Sequence, residues 1–327
     1  MAETVIYKVY MKASGRLTQL PDSQKIFGAL IYLYAGQTSE TQATQFVKAV
    51  KEKRLTFSLS NMMPTGYLPV PERYLLSIEG RDKEFYKCLK KYRFIKSEQL
   101  ESLLKEPQQL KTLFPYVRID ESQEMHAAVD SITYQLPGSD LNLYSVPEIT
   151  GSEVNKEGEG IKLDNYYFYL ALELDDAGIS FVKALEDAGK QERMIFLGPR
   201  ASQGLNIYNI TDMKQEKDDR ADTEYYLNLG MLLPDHINYK KSFIDTFSSI
   251  RLPYKRQNGW DNHMTKMYIS YISAGSILCA ERGKYAAGKS IPSKYDSSRA
   301  IIFGNAMLYP IRCNIRTGGD DVEALSV

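Results

Sequence analysis

YYFYLALELDDAGISFVKALEDAGKQERMIFLGPRASQGLNIYNI, residues 166 to 210, holds the clearest fold signal in the chain. Tyr166–Leu174 is an aromatic and aliphatic run of strand length. Ile179, Val182 and Leu185 then recur at helical spacing, and Gly189 closes that helix. The loop Gly198-Pro-Arg200-Ala-Ser202-Gln-Gly204 leads into Leu205–Ile210, which alternates as a second strand. Strand, helix, loop and strand in this order predict an α+β chain.

Upstream, Val5–Lys12 alternates as a first strand. Ser23 is placed to cap a helix whose apolar face runs Ile26, Phe27, Leu30, Leu33 and Tyr34. A second helix opens on Ser39 with Gln42 three residues on, a capping box, and carries Ala43, Phe46, Val47 and Val50. Tyr67-Leu-Pro-Val-Pro71 excludes regular helix because each proline removes a donor and extends its predecessor. Lys83–Lys111 reads as charged helices, and Ala127–Pro147 as a hairpin turning at Pro137–Asp140.

Downstream, the acidic stretch Lys214–Thr223 breaks the pattern and reads as a linker. Beyond it come a strand at Tyr225–Leu233, a helix at Lys240–Ser249, strands at Arg251–Lys255 and Met267–Ser273, and a last strand at Ala300–Ile311. Two such units predict a duplicated ferredoxin-like architecture. The expected division is an N-terminal domain over 1–214 with a hairpin near 127–147, a C-terminal domain over 222–316, and a disordered tail over 317–327.

The chain has 327 residues, room for two domains, with 41 basic residues against 41 acidic ones. That balance argues against strong solitary binding to a polyanion but leaves room for a local basic groove. Tyrosine is abundant at 24, against 12 phenylalanines and one tryptophan; it suits subunit interfaces, base stacking and ordinary sheets alike. Three cysteines, far apart, argue against a disulfide framework. No apolar run reaches membrane-spanning length and no signal-peptide pattern opens the chain, so a cytoplasmic location is expected.

Catalytic and metal motifs are missing from the sequence: the three histidines, His126, His236 and His263, have no ligand spacing, and no P-loop, GxGxxG or GxSxG occurs. What remains are three basic glycine loops. The first is Gly198, Arg200, Ser202 and Gly204. The second is Lys255 and Arg256, before Gly259. The third is Arg282, Lys284, Lys289 and Ser290, preceded by Gly275 and Ser276. Glycine admits close approach to a phosphate, amides donate, and Arg or Lys supplies charge. Basic glycine turns are also common as plain solvated connections, but three of them without catalytic motifs favour phosphate contact over enzymology. No RNP1 consensus is present, which argues against base stacking on an open sheet face.

Four stretches carry a resemblance: Ser23-Gln-Lys25-Ile-Phe-Gly-Ala-Leu30, Tyr67-Leu-Pro-Val-Pro71, His126-Ala-Ala-Val-Asp130-Ser-Ile-Thr133 running to Tyr144, and Gly198–Gly204 with its strand. In this order they resemble the RAMP-superfamily proteins of the fourth-named Csm group, from type III-A CRISPR effector complexes. The likeness runs through Ser273–Ser276 and Ala286–Lys289 to about residue 315. Two positions depart from the family pattern: the loop Ala13-Ser-Gly15-Arg16 is short, and Gln24 stands where aspartate is common.

The resemblance implies two RRM-like folds with a thumb hairpin and no cleavage chemistry. It implies a crRNA partner held by its 5′ tag, with contacts at Gly15, Arg16 and Lys25 joining those of the glycine loops. It also implies a thumb at Ile132, Thr133, Tyr134 and Leu136 wedged into the guide–target RNA duplex. Protein partners would be the large palm-polymerase subunit and the backbone RAMP subunit; no cofactor, metal or membrane is implied. One alternative is a RAMP endoribonuclease that processes precursor crRNA, with His126 as its only early histidine. Another is a metal-dependent cutter of target RNA using Asp22 or Asp130, although Asp22 suits a helix N-terminus. A third is a connector whose basic loops touch only protein.

Overall fold

The computed structural model of the protein describes residues 3–79, 82–127, 143–216, 222–250, 268–293 and 301–315. The expected hairpin tip with Ile132, Thr133, Tyr134 and Leu136, the loop with Lys255 and Arg256, and the tail 317–327 lie outside the described residues.

β1 (Thr4–Ala13) buries Val5, Val9 and Met11. α1 (Ser23–Gln37) is capped by Asp22, whose carboxylate accepts from the Lys25 amide at 2.9 Å. Ser23, expected as that cap, is the first helical residue, and its hydroxyl accepts from the Met231 amide at 3.0 Å. Asp22 displaces it because its backbone is extended, as a cap requires. α2 (Glu40–Lys51) opens on Ser39 as expected, the hydroxyl accepting from the Gln42 amide at 3.2 Å. Two short strands follow, β2 (Phe57–Leu59) and β3 (Met63–Pro64).

A second layer begins at β4 (Tyr67–Pro69), the extended proline segment. α3 (Glu72–Glu79), α4 (Lys83–Leu89), β5 (Phe94–Lys96) and α5 (Leu100–Lys105) come next. The expected run of helices over Lys83–Lys111 is thus interrupted, since Phe94 and Ile95 pair with β4 on one side and with the strand at Tyr116 on the other. β6 (Tyr116–Ala127) and β7 (Leu143–Val154) form an antiparallel ribbon in register from Tyr116↔Val154 to Ala127↔Leu143. The ribbon begins eleven residues before the predicted hairpin, because its polar alternation masks a strand. β8 (Gly160–Lys162) completes a five-stranded sheet ordered β4-β5-β6-β7-β8.

The chain then returns through β9 (Asn165–Glu173), α6 (Asp176–Lys190), β10 (Met194–Phe196) and β11 (Ile207–Glu216). Lys214–Glu216, expected in a linker, pair with Ile6–Lys8 and prolong β11. The last third supplies β12 (Tyr225–Asn228), β13 (Thr246–Ile250), β14 (Tyr268–Ile272), β15 (Ile277–Cys279), β16 (Ala286–Gly288), β17 (Ile291–Pro292), β18 (Ile301–Ile302) and β19 (Asn305–Pro310). The helix expected over Lys240–Ser249 is a single 3-10 turn, Tyr239–Lys241, followed by β13. Thr246-Phe-Ser-Ser-Ile250 carries β-branched and aromatic residues and finds a cross-strand partner in β14, which overrides the weaker helical spacing. The predicted strand over 300–311 breaks at Phe303-Gly304, where a Cβ on Gly304 would lie 2.6 Å from the Leu233 side chain.

Among the described residues ten strands share one sheet, whose main path is β10-β11-β1-β9-β2-β19-β12-β15. Parallel pairing of Ala306 with Leu59 joins the strands of the N-terminal half to those of the last third. α1, α2 and α6 contribute to the core on one face, where Phe27 stacks on Phe303 (4.4 Å) and Phe46 on Phe181 (4.7 Å). Phe57 meets all four edge-on, and burial of these five rings dominates that core. On the opposite face Tyr167 and Tyr169 of β9 are 2% and 6% exposed, packed in one core with residues of α3–α5 and of β4–β7. No helix among the described residues is long and apolar enough to cross a membrane.

Candidate nucleic-acid interface

Burial of Tyr167 and Tyr169 removes the middle of the sheet as a stacking platform, and desolvation drives both phenols far above their ordinary pKa. What the fold does present is the turn between β10 and β11. Arg200 sits there in a left-handed conformation (φ +63°), and a 3-10 turn Ala201–Gln203 follows it. The turn is closed by the Gln203 amide donating to the Arg200 carbonyl at 2.9 Å. Asn206, also left-handed at φ +56°, organises the loop from below. It is buried; its amide nitrogen donates to the Pro199 carbonyl and the Thr18 hydroxyl (both 2.9 Å), and its oxygen accepts from the Thr18 amide (2.9 Å).

Two glycines permit this packing. A Cβ on Gly198 would lie 2.6 Å from the Asn206 side chain, and one on Gly15 would lie 2.4 Å from the Gly204 carbonyl oxygen. The β1 loop and the 198–206 loop are therefore stacked, joined by a parallel bridge from Arg16 to Leu205 and by the Asn206 amide donating to the Arg16 carbonyl (2.9 Å). Gly15, Arg16, Gly198, Arg200, Ser202 and Gly204 are thereby brought together. Leu17 bridges to Ile149, which docks the β6–β7 ribbon alongside. A cleft of about 370 Å³ opens between them, lined by Gly15, Arg16, Glu148, Thr150, Lys162 and Tyr166 among others. Burial lifts the Tyr166 hydroxyl there to about 12.

Charge around the loop is divided. Arg16 pairs with Glu124 and lies 3.8 Å from Glu148, both on the ribbon. The Arg200 guanidinium instead lies over the Tyr144 ring, 5.1 Å from its centroid, on which the His126 imidazole also stacks at 5.4 Å. Lys25 is held to Asp22 at 2.7 Å, Arg282 to Asp222 at 3.1 Å, and Lys284 to Glu281. Arg200 pairs with no carboxylate among the described residues, and the exposed Lys289 stands near enough to Asp235 to help lower the pKa of its carboxyl. Gly275 and Ser276 form a turn packed on Val70 and Asp245; Ser276 is 1% exposed and its hydroxyl accepts from the Asp245 amide at 3.0 Å. Ser290, also buried, donates to Asn305 at 3.3 Å. Expected as ligand contacts, these two serines are committed to packing.

The register separates the loops that the sequence analysis expected to act together. Gly288 pairs with Asn305, next to the level of Leu59 and Leu170, whereas the 13–16 loop leaves the sheet beside Asn165 and Tyr208. Six residues along a strand and four strands across correspond to roughly 20 Å in each direction. The glycine loops expected to contact one RNA are thus resolved into two groups, with the first turn of α1 between them. There Gln24 accepts from the Phe303 amide (3.1 Å) and donates to the Ile301 carbonyl (3.2 Å), while the chain behind it leads back to Arg16. An aspartate at this position would offer no donor to Ile301.

Asn206 and the Tyr144 platform escaped sequence reasoning. The available signals were an Asn two residues past a loop glycine, a type tolerant of left-handed backbone, and the alternation that puts Tyr144, Val146 and Glu148 on one ribbon face.

No family model and no curated protein matches this chain. Solved structures do. One is a chain of the Csm3-Csm4 subcomplex in the type III-A CRISPR-Cas interference complex, 14% identical at TM-score 0.55, covering 94% of this chain and 99% of that one. Another comes from the Csm1-Csm4 cassette in complex with cA4, 15% identical at TM-score 0.53, covering 97% of this chain and 100% of that one. A third, from the same cassette with AMPPNP, is 16% identical at TM-score 0.52, covering 94% and 98%. At these identities the likeness is one of fold.

Proposed function

We propose that this chain is a non-catalytic RNA-binding subunit of a type III-A CRISPR (Csm) interference complex, holding the 5′ tag of the crRNA. The carrying observation is the fold match along nearly the whole chain, in both directions, to chains from two kinds of assembly. Csm4 is the component those assemblies have in common. On this reading the order β1-α1-β2-β9-α6-β11 is a ferredoxin-like unit, β12–β19 form the remnant of a second, and the β6–β7 ribbon is the thumb. A large polymerase-type subunit and a backbone subunit would flank the chain, inside the cell.

The loop chemistry supports the same reading. Arg200 offers a guanidinium that pairs with no carboxylate among the described residues, on a glycine-flanked turn that admits close approach, a combination that suits phosphate oxygens and ignores base identity. Gly15 and Arg16 continue that surface, α1 with Lys25 follows, and Lys289 lies beyond. The strand would run as a track over these points rather than sit in one pocket. Sequence readout of the target would be left to base pairing.

Affinity purification of the tagged chain from its host, with sequencing of bound RNA and identification of co-purifying proteins, is the deciding experiment. RNAs sharing a common 5′ leader, with a large and a repeated small protein subunit, are expected. A chain that comes down free of RNA would overturn the proposal. Cleavage of repeat RNA in EDTA that disappears in His126→Ala would overturn its non-catalytic part.

A further inference from the structure

One face of the β6–β7 ribbon looks at the loops. Cross-strand pairs His126↔Tyr144, Glu124↔Val146 and Ser122↔Glu148 place Glu124, His126, Tyr144, Val146 and Glu148 on the same side. That side meets the two arginines differently. Tyr144 is 37% exposed and lies under the Arg200 guanidinium, within the range where a ring face attracts a cation. Gln203 accepts from the same guanidinium at 3.3 Å, and the left-handed backbone at Arg200 fixes where the side chain starts. Arg200 therefore keeps its charge while losing much of its freedom. Arg16, one loop away, is flanked by the carboxylates of Glu124 and Glu148. It has its position but not its charge to offer.

We propose that this ribbon face sorts the two loop arginines. Tyr144 presets Arg200 for a phosphate, whereas Glu124 and Glu148 occupy Arg16, which reaches a phosphate only by leaving them. The inference rests on the reading of the loop as a phosphate-binding surface and names the residues that tune it. Tyr144 and Glu124 are positioning residues: they act through the arginines. Order of engagement follows from electrostatics. An incoming strand first meets Arg200, a cation with no carboxylate partner among the described residues. At Arg16 it exchanges one anion for another, a step whose gain falls by whatever the carboxylates contribute. Because the ribbon carries both carboxylates, a ribbon displaced by the guide–target duplex would release Arg16 at the same moment.

The test uses the full-length chain and a fluorescently labelled single-stranded RNA, with affinity measured across a salt series. Arg200→Ala is expected to weaken binding and to lower the slope of log affinity against log salt by about 0.7, the share of one phosphate contact on a single strand. Tyr144→Phe keeps the ring and should match the parent protein, while Tyr144→Ala should weaken binding about two- to fivefold, the reach of an exposed cation–π contact. Glu124→Gln combined with Glu148→Gln should tighten binding and steepen the slope by about 0.7 as Arg16 becomes available, and adding Arg16→Ala should cancel both changes. Matched thermal unfolding of the variants separates these effects from misfolding. If Arg200→Ala binds as the parent does, the phosphate-surface reading itself fails, and this inference with it. If Arg200→Ala weakens binding but Tyr144→Ala does not, or the carboxamide pair brings no gain that Arg16→Ala removes, only the sorting is overturned.

Discussion

Arg200 and Asn206 show how much of the interface depends on two residues held at positive φ. Phosphate contact carries no base information, so Arg200→Ala is expected to lower RNA affinity by about 1.5 kcal/mol, roughly tenfold, for every spacer sequence alike. Binding titrations with several unrelated RNAs check this, and a loss confined to some of them would contradict it. Asn206 does its work one layer down. Asn206→Ala leaves the Pro199 carbonyl and the Thr18 amide without their buried partner, a loss of about 2–3 kcal/mol in denaturant unfolding. Asn206→Gly should be milder than Asn206→Ala by about 1 kcal/mol, reversing the usual order, because only the alanine meets the left-handed penalty. The chemistry of Arg200 is legible in the sequence, since a cation between glycines before a strand announces itself. Asn206 is not, because its role comes from Thr18, 188 residues away, which no local pattern records.

Elements were readable wherever one period dominated. β1, α1, α2, β9 and α6 each present an unbroken apolar stripe, and each forms where the stripe predicts, with Asp22, Ser39 and Asp175 at the caps. The reading failed where polar alternation belongs to strands with little buried surface, as in the ribbon from Tyr116, and where a short segment gains its state from a partner, as β13 does from β14. α1 shows what tertiary context adds to a correctly predicted helix. Its first turn is tied to the last third of the chain: Ser23 accepts from Met231, and Gln24 bonds Ile301 and Phe303. Phe303 then stacks on Phe27 of the same helix. Phe303→Ala should accordingly cost about 3–5 kcal/mol, the range for a fully buried ring. Hydrogen exchange in that variant should rise across Ser23–Leu30 as well as around residue 303. An increase confined to residues 301–305 would show that α1 is anchored by its own layer alone.

At the scale of the whole molecule, the two halves recognised in the sequence share one sheet, and tyrosine links its layers. Tyr167 donates from β9 to the Tyr67 carbonyl across to the second layer (2.9 Å), and Tyr67 in turn donates to Glu153. The tyrosine count could be read as interface, stacking or core, and composition had no means to choose; burial does, since Tyr67, Tyr74, Tyr166, Tyr208, Tyr226 and Tyr271 are among the largest fully buried side chains. This distribution sets a limit on the alkaline side. Desolvation raises the folded-state pKa of Tyr67, Tyr167, Tyr169 and Tyr208 well above the unfolded value near 10, and that of Tyr166 to about 12. A raised pKa means that the folded state favours the neutral phenol. The associated stability is therefore complete below pH 10 and is lost as pH climbs from there toward the folded values, because the unfolded chain ionises first. The chain should unfold cooperatively between about pH 10 and 12, with the buried phenols ionising as a group. Phenolate absorbance and far-ultraviolet circular dichroism, followed in one titration, should change together for this group. A single smooth phenolate titration centred near pH 10, with the helical signal intact beyond it, would mean that these rings reach water in the folded protein and that the two layers are not closed over β9.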